Sequence, residues 1–323
     1  EDQQQGKETT MFSHIMIGTN DLERAKTFYD ALLGTLGVPA GFVDRHRIFY
    51  RTPTGVFSVS LPINGQPATA DDLRALALAN YGHFTSMQVR DGAVQGRALH
   101  VRRLEEATLA LFGSGLDGDD ALKQAAQVME QAGLRDASVR ITVFSTRFDY
   151  RDPARDVAPD VLITLSPPSV AEKPALRVKT YPFVRPLPQF KHVGTFPLFH
   201  YRRQALADGF DDALFVDPTG QVVEGSIWNL GLWDGDAVTW PEGPALRGTA
   251  ERLLQTALTR AGVPQRSTPV LRLDLGRFRA AFACNASGLQ PVVGVDDVAW
   301  GVDAALMARL AGALEASPWE PLA

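Results

Sequence analysis

The sequence lacks, or has little of, several features that mark particular classes of protein. Its single cysteine, Cys284, excludes an internal disulfide. No apolar run is long enough to cross a bilayer, and the polar stretch 1–10 lacks the apolar core of a signal peptide. With a formal net charge of -5, the chain has no basic excess that would favour nucleic acid or an anionic membrane as a partner. We therefore expect a cytoplasmic protein that binds neither.

What is present is an ordinary globular composition. The chain has 323 residues, of which 45% are hydrophobic, so it can build two or three modest domains. Helix-like and strand-like segments are mixed without a regular βαβ alternation, which favours an α+β fold. Changes of texture predict three regions, 11–61, 62–186 and 187–323, the last two divided at a proline-rich connector.

The first region predicts a short βαββ or βαβββ unit. An apolar strand at 12–17 is followed by Asp21, which suits a helix N-cap, and then by apolar residues at helical spacing. Segments 47–50 and 56–61 have the composition of strands and are joined by a turn that contains proline and glycine.

Lys191 has a context suited to covalent chemistry, and it is one of only six lysines in the chain. A pyridoxal-phosphate site needs a lysine that forms a Schiff base, an acid that keeps the pyridine nitrogen protonated, and donors for the phosphate. Lys179, the nearest alternative, lies on a strand of alternating pattern and should face solvent. Lys191 instead follows the proline-rich connector and directly precedes a predicted helix at 194–207.

The sequence also contains candidates for the acid and for the phosphate donors. Glu224 ends a predicted hairpin strand and is the candidate acid, while Gly225 leaves room beside it for a ligand. Gly248 and Thr249 begin a predicted helix whose free N–H groups suit a phosphate, and Arg103 can clamp that phosphate. Each of these alone also fits a surface residue or an ordinary helix cap. Only the set, in this order, is specific.

From about residue 63 onward the sequence resembles the class IV aminotransferase family, which includes branched-chain and D-amino-acid aminotransferases and aminodeoxychorismate lyase. The segments that carry the resemblance are 81–86 followed by Asp91-Gly92, 100–104, 190–192, 211–229, Gly248-Thr249 and 285–291. The resemblance implies the two-domain pyridoxal-phosphate fold type IV, pyridoxal 5'-phosphate as the cofactor, and a homodimer.

The resemblance also implies roles for individual residues. It implies that Lys191 carries the cofactor. The other cofactor contacts that it implies are Arg103, Glu224, Gly225, Ser226, Gly248, Thr249 and Asn285. The substrate contacts that it implies are Tyr81, His83 and Thr85. The chain departs from branched-chain enzymes at Phe196, where they have a tyrosine, and this departure weakens the case for a branched-chain substrate.

The N-terminal region resembles a different family. Segment 12–17, followed by Asp21-Leu22 and Phe28-Tyr29, is similar to the start of a vicinal-oxygen-chelate (glyoxalase-like) module, a βαβββ unit that works in pairs. His14 matches a metal ligand of such modules, but segment 56–60 lacks the carboxylate that their sites use, so we expect no metal site. A single module implies a non-catalytic role, either in pairing with its copy or as a fused domain.

Together these features predict a pyridoxal-phosphate-dependent aminotransferase that moves an amino group between an amino acid or amine and a 2-oxo acid. Its partners would be a small amino donor and an oxo-acid acceptor. Two alternatives stay open. An aminodeoxychorismate lyase-like elimination uses the same cofactor, and a degenerate fold would serve only as a binding module. The intact set of Lys191, Glu224 and Arg103 argues against the second.

Overall fold

A computed structural model describes residues 14–18, 21–44, 47–52, 55–60, 68–169 and 173–323. Helices and strands alternate irregularly along these ranges, which confirms the predicted α+β class. Three sheets of four, nine and five strands organise the described chain. Within the described ranges no helix is both long and apolar enough to cross a membrane.

The N-terminal unit has the order β-α-β-β-β, the longer of the two orders that the sequence left open. Its elements are β1 (His14–Gly18), α1 (Leu22–Gly34), β2 (Phe42–Asp44), β3 (Arg47–Thr52) and β4 (Gly55–Ser60). The sheet order is β1-β4-β3-β2, and β1 runs parallel to β4. The helix begins as predicted, because the Asp21 carboxylate accepts a bond from the Arg24 N–H at 2.9 Å. Residues 12–13 of the predicted first strand lie outside the described residues.

The next part of the chain builds the smaller domain around the five-stranded sheet. Its elements are α2 (Ala70–Arg74), β5 (His83–Arg90), β6 (Ala93–Gln95), α3 (Arg97–Phe112), α4 (Gly118–Gln131), β7 (Ala137–Phe144) and β8 (Asp160–Ser166). A π-helical turn, Ala75–Ala79, extends α2. The β5–β6 hairpin turns at Asp91-Gly92 as predicted, with both residues at positive φ. One face of this sheet packs against α3 and α4 around Met87, Leu104 and Ile141.

The remaining chain builds the larger domain around the nine-stranded sheet. Its first elements are β9 (Leu176–Pro182), α5 (Phe196–Ala207), β10 (Asp212–Val216), β11 (Val222–Gly225), β12 (Asn229–Trp233), β13 (Val238–Pro241) and α6 (Thr249–Arg260). Then follow β14 (Gln265–Thr268), β15 (Ala280–Asn285), β16 (Gly288–Val295), β17 (Val298–Ala299), α7 (Ala304–Glu315) and β18 (Trp319–Pro321). The sheet order is β11-β10-β9-β16-β15-β12-β13-β14, with β17 paired to β16.

The predicted division at residue 186 does not follow the sheets. Strand β9 precedes that boundary, yet it pairs in parallel with β10 and β16 of the larger sheet. Strand β18 ends the chain, yet it pairs with β6 of the smaller sheet. Both pairings join segments far apart in sequence, so local composition could not reveal them. The chain therefore enters the larger sheet before the connector and returns to the smaller sheet at its end.

Candidate active site

A cleft of about 250 Å³ contains Lys191 and most of the residues that the sequence predicts as cofactor contacts. The polar side chains along it are Ser86, Arg103, Arg140, Arg185, Lys191, Thr195, Glu224, Ser226, Asn229, Thr249, Asn285 and Ser287. The larger apolar ones are Phe84, Leu198, Phe199, Ile227, Trp228 and Leu246. Strands β5 and β7 of the smaller domain supply one wall. The other comes from the larger domain, so both domains are needed to close the site.

Lys191 is fixed in the cleft by its own main chain. Its carbonyl accepts a bond from the Phe84 N–H at 2.9 Å, and the Val193 N–H donates to the Gly82 carbonyl at 2.9 Å, so the connector runs along the start of β5. The Lys191 ammonium nitrogen lies 4.9 Å from the centre of the Phe84 ring. Burial, helped by the charges of Arg103 and Arg185 and opposed by Glu224, lowers the pKa of Lys191 to about 7. The lowered pKa favours the neutral, nucleophilic form of this amine.

Glu224 is a buried carboxylate at the end of β11, held from two sides. Arg185 Nη2 donates to its Oε1 at 3.1 Å and to its Oε2 at 3.4 Å, and the Leu246 N–H donates to Oε2 at 3.2 Å. Burial raises the pKa of Glu224, while Arg185 and the Leu246 N–H oppose that rise. This is a suitable environment for an acid that must face a ring nitrogen rather than water.

Asp212 holds the turn after Glu224 through hydrogen bonds. The buried Asp212 carboxylate accepts bonds from Ser226 Oγ at 2.6 Å and from Trp228 Nε1 at 3.1 Å. The Gly225 backbone lies so close to the Trp228 ring that a Cβ at this position would stand 2.0 Å from the indole. Gly225 is thus required for packing on Trp228. Ser226 lines the cleft, but its hydroxyl donates its hydrogen bond to Asp212.

The N-terminus of α6 lies along the cleft, with Gly248 and Thr249 among the lining residues. No side chain among the described residues caps this helix at Gly248, so its first N–H groups remain available to an anion. Asn229 holds the preceding loop, donating to the Leu246 carbonyl at 2.7 Å and accepting from the Gly248 N–H at 3.2 Å. A Cβ on Gly248 would stand 2.4 Å from Asn229 Oδ1, which explains the glycine.

Arg103 and Asn285 line the same cleft from other elements. Arg103, on α3 of the smaller domain, donates to the Arg247 carbonyl at 3.0 Å and so bridges the two domains. Burial, together with the charges of Arg252 and Arg185, lowers the pKa of Arg103 to about 10. Asn285 Oδ1 accepts from the Ser287 N–H at 2.9 Å, which fixes the last turn beside the cleft. The structure thus brings these two predicted residues together with Thr249 at one end of the cleft.

The residues predicted to contact substrate are not brought to the cleft. The Tyr81 hydroxyl donates to the Leu111 carbonyl at 2.9 Å. A His83 ring nitrogen lies 2.9 Å from Thr108 Oγ1, and Thr85 Oγ1 lies 2.7 Å from His100 Nδ1. The two β5 residues, His83 and Thr85, are fully buried against the helices of the smaller domain.

The physical reason is the alternation of a strand. Successive side chains of β5 point to opposite faces, so Phe84 and Ser86 face the cleft while His83 and Thr85 face α3. A shift of one residue in the expected phase moves every contact to the wrong face. Phe196, the departure noted above, is 75% exposed at the start of α5 and is not among the cleft residues.

Two arginines of the cleft were missed by sequence reasoning. Arg140 on β7 lies directly opposite Ser86, and its guanidinium is 3.5 Å from the centre of the Phe84 ring. It donates to Thr142 Oγ1 at 3.2 Å, and no carboxylate of the described chain pairs with it. Burial lowers the pKa of Arg140 to about 10. The second, Arg185, is the partner of Glu224. The polar alternation of Ser138, Arg140 and Thr142 was the available signal for the first.

The charges of the cleft fit a phosphate-bearing cofactor. Three arginines and Lys191 face one carboxylate, Glu224, so the site favours an anionic ligand. The uncapped start of α6 and Arg103 suit a phosphate, and the buried Glu224 suits a protonated ring nitrogen on the same molecule. No group of three histidine, cysteine or acidic side chains in the described residues could hold a metal ion.

Comparisons with known proteins identify a family and a fold. The family model for class IV aminotransferases matches residues 82–295. A branched-chain aminotransferase from Thermoproteus uzoniensis is 18% identical, with a TM-score of 0.69 over 78% of this chain and 93% of that one. A putative 4-amino-4-deoxychorismate lyase from Legionella pneumophila is 19% identical, with a TM-score of 0.68 over 77% of this chain and 95% of its own.

A third similar structure has pyridoxal phosphate bound. The pyridoxal-phosphate-bound form of a hypothetical aminotransferase from Mycobacterium tuberculosis is 19% identical, with a TM-score of 0.66 over 83% of this chain and 94% of that chain. No curated protein matches the sequence. At these identities the solved structures establish the fold, whereas the family model covers most of the chain. The chain therefore belongs to the class IV aminotransferase family, adopts its pyridoxal-phosphate fold, and takes pyridoxal 5'-phosphate as its cofactor.

Proposed function

We propose that this protein is an aminotransferase that moves an amino group between an amino acid or amine and a 2-oxo acid, with the cofactor bound covalently to Lys191. The observation that carries the proposal is the common position of Lys191, Glu224, Arg103 and the start of α6 along one cleft. The lowered pKa of Lys191, about 7, suits a residue that must attack a carbonyl group.

Each residue has a task in this proposal. Pyridoxal phosphate, when bound, supplies an aldehyde and a ring that accepts electrons. Lys191 carries it and, once released by the incoming amine, moves a proton between the substrate carbon and the cofactor carbon. Glu224 keeps the ring nitrogen protonated. Arg103, Thr249 and Asn285, with the N–H groups at the start of α6, hold the phosphate.

Arg140 supports a substrate that carries a carboxylate. It faces the cleft from the wall opposite α6, and among the described residues no carboxylate neutralises it. A guanidinium is suited to bind a carboxylate through two parallel hydrogen bonds. We propose that Arg140, with the facing Ser86, receives a carboxylate of the amino acid or oxo acid. Amines without a carboxylate would then be poorer substrates.

The runner-up function is a lyase reaction on an amino-cyclohexadiene, yielding an aromatic amine and pyruvate. It needs the same lysine, the same acid and the same phosphate contacts, and the lyase-like structure from Legionella has the same fold. We favour transamination because aminotransferases dominate this family. A binding module without activity is the third possibility, and the pKa of about 7 at Lys191 argues against it.

A half-reaction distinguishes these functions. The protein loaded with pyridoxal phosphate is mixed with one amino acid and no acceptor, while the visible spectrum and the products are followed. A transaminase converts the bound cofactor to its amine form and releases one oxo acid per site. A lyase given an amino-cyclohexadiene releases pyruvate repeatedly while the spectrum returns. If the amino-cyclohexadiene yields pyruvate but the amino acid gives no half-reaction, the protein is a lyase and our proposal is wrong. If neither reaction occurs, the protein is a binding module.

We also propose the location, oligomeric state and partners of the enzyme. We place it in the cytoplasm as a homodimer, with a small amino donor and an oxo-acid acceptor as its partners. Residues 11–61 we interpret as a glyoxalase-like module that contributes to assembly rather than chemistry. The β-α-β-β-β order of its described elements supports that interpretation. His14 lies on β1 and is assigned no metal.

A further inference from the structure

Arg185 is a buried cation at the centre of the cleft. It is only 4% exposed, and its carboxylate partner Glu224 is 5% exposed. A single guanidinium nitrogen, Nη2, contacts both oxygens of that carboxylate, at 3.1 and 3.4 Å. Its Nε is buried and has no hydrogen-bond partner in the described chain. A charge enclosed to this degree is costly unless its partner is held in place.

The connector that bears Arg185 is anchored at both ends. The Phe183 N–H donates to the Val216 carbonyl at 3.0 Å, and a His192 ring nitrogen lies 3.0 Å from the Pro186 carbonyl. Between them Leu187 takes a positive φ of 47°, and its carbonyl accepts from the Phe190 N–H at 3.0 Å. The connector is therefore a fixed turn that sets Arg185 and Lys191 beside the same carboxylate.

The carboxylate that Arg185 contacts has two possible protonation states. Burial favours the neutral acid and raises the pKa of Glu224, while the charge of Arg185 favours the anion. A neutral acid pairs weakly with a protonated ring nitrogen, whereas an anion stabilises it. The same positive charge also lowers the pKa of Lys191. One arginine therefore acts on both groups that the chemistry needs.

We propose that Arg185 is a positioning residue, which holds Glu224 as an oriented carboxylate so that Glu224 can keep the cofactor's ring nitrogen protonated. The inference rests on the proposed function, since it needs the cofactor on Lys191. Arg185 acts through Glu224 and need not touch the substrate. Arg103 and Arg140 are left for the phosphate and for a substrate carboxylate.

The test uses the full chain loaded with pyridoxal phosphate whose ring nitrogen carries an NMR-active isotope. The nitrogen shift reports protonation of the ring directly, and it is compared for the wild type, Arg185→Lys, Arg185→Gln and Arg272→Gln. Arg272 is the matched control, because it pairs with Asp296 at 3.2 Å and lies outside the cleft. We expect a protonated ring in the wild type and the control, partial retention in Arg185→Lys, and a shift towards the neutral ring in Arg185→Gln.

Kinetics give a second measurement. We expect Arg185→Gln to lower kcat by about 100-fold, the scale of losing one electrostatic contact to developing charge, with KM changed by less than about threefold. In Glu224→Gln, where no carboxylate remains, adding Arg185→Gln should change neither quantity further. This double variant removes both charges of the Arg185–Glu224 pair together, so it also serves if the single variant does not fold.

Several results would overturn the inference. An unchanged nitrogen shift in Arg185→Gln would do so, as would a neutral ring in the wild type. A rise in KM at constant kcat would make Arg185 a substrate contact instead. A further loss in the double variant would show that Arg185 acts elsewhere. These failures are separate from failure of the proposed function, which would appear as a wild type that forms no borohydride-reducible bond between Lys191 and the cofactor.

Discussion

The two walls of the cleft differ in how their polar groups are engaged. On the wall from the larger domain, Glu224 is bonded to Arg185 and to the Leu246 N–H, and Asn229 holds both ends of the loop before α6. On the wall from the smaller domain, the contacts of Arg140 within the described residues are a hydrogen bond to Thr142 Oγ1 and the Phe84 ring.

The difference fits two kinds of ligand. A cofactor stays through every turnover, so the groups that hold it are best fixed in advance by the protein's own hydrogen bonds. A substrate arrives and leaves, so the group that recognises it benefits from a donor left free until the ion pair forms. We therefore expect variants of the first wall to change cofactor binding and turnover. Variants of the second wall should mainly change substrate discrimination.

Replacement of Lys191 should have the largest effect on the first wall. Lys191→Ala should abolish both turnover and the visible absorbance of covalently held cofactor, because no other amine of the described chain lines the cleft. The control is Lys179→Ala, since the Lys179 ammonium pairs with Asp208 at 2.8 Å and is not among the cleft residues. A borohydride-reducible adduct that survives in Lys191→Ala would refute the assignment.

The pH dependence of cofactor capture tests the same wall without a mutation. The lowered pKa of Lys191, about 7, means that the amine is mostly protonated below pH 7 and mostly neutral above it. The rate of covalent capture by cofactor-free protein should rise about tenfold per pH unit up to about pH 7 and then level off.

The reference for this profile is Nα-acetyl-lysine, which keeps a free side-chain amine. Its capture rate should keep rising until the pH reaches the ordinary lysine pKa near 10.4. Stopped-flow absorbance measures both rates under the same buffers. A protein profile that follows the reference would mean that Lys191 is not depressed by burial.

Arg103 joins the two walls, so its loss should weaken phosphate binding. Arg103→Ala removes one charge-assisted contact, a loss of roughly 1.5–3 kcal/mol, or about 10- to 150-fold in the dissociation constant for pyridoxal phosphate. The neighbouring Arg102→Ala is the control, because Arg102 is exposed on the same helix. Equal dissociation constants for Arg103→Ala and the wild type, measured by equilibrium dialysis, would place the phosphate elsewhere.

Arg140 tests the second wall, with a smaller effect. Arg140→Met keeps an apolar stem near the Phe84 ring but removes the charge. We expect KM for amino acids to rise about tenfold, the loss of one ion pair that remains partly open to solvent. Primary amines without a carboxylate should react as before, and cofactor affinity should not change. An equal loss for acids and amines would remove Arg140 from substrate recognition and blur the contrast between the walls.

Local rules predicted much of the chain. The Asp21 cap, the Asp91-Gly92 hairpin and the start of α6 at Thr249 follow from residues adjacent in sequence, and the structure confirms all three. The family resemblance likewise supplied Lys191 and Glu224, which the structure places along one cleft.

Features that depend on distant pairing were not predicted. Arg140 faces the cleft only because β7 pairs with β5 in the register that sets it opposite Ser86. Arg185 reaches the site through its contact with Glu224. That contact depends on the shape of the connector, including the positive φ of Leu187, which could not be predicted from the sequence. The phase of β5 turns His83 and Thr85 away from the cleft. The pairing of β9 with β10 and β16 places residues before position 186 in the larger sheet.

The N-terminal unit should have the smallest effect on either wall. Its helix α1 exposes Phe28 by 58% and Leu32 by 47%, apolar surface that a second copy or the aminotransferase domain would bury. We predict that residues 11–61 make such a contact and contribute assembly rather than chemistry. Deletion of residues 1–61 should leave the cofactor spectrum and transamination largely intact while changing oligomer size or solubility, as measured by light scattering. Added divalent metal should not change the activity of the full chain, because segment 56–60 offers no carboxylate to pair with His14. A truncated protein that stays folded and cofactor-loaded but loses activity would bring the N-terminal unit into the site and end this separation of roles.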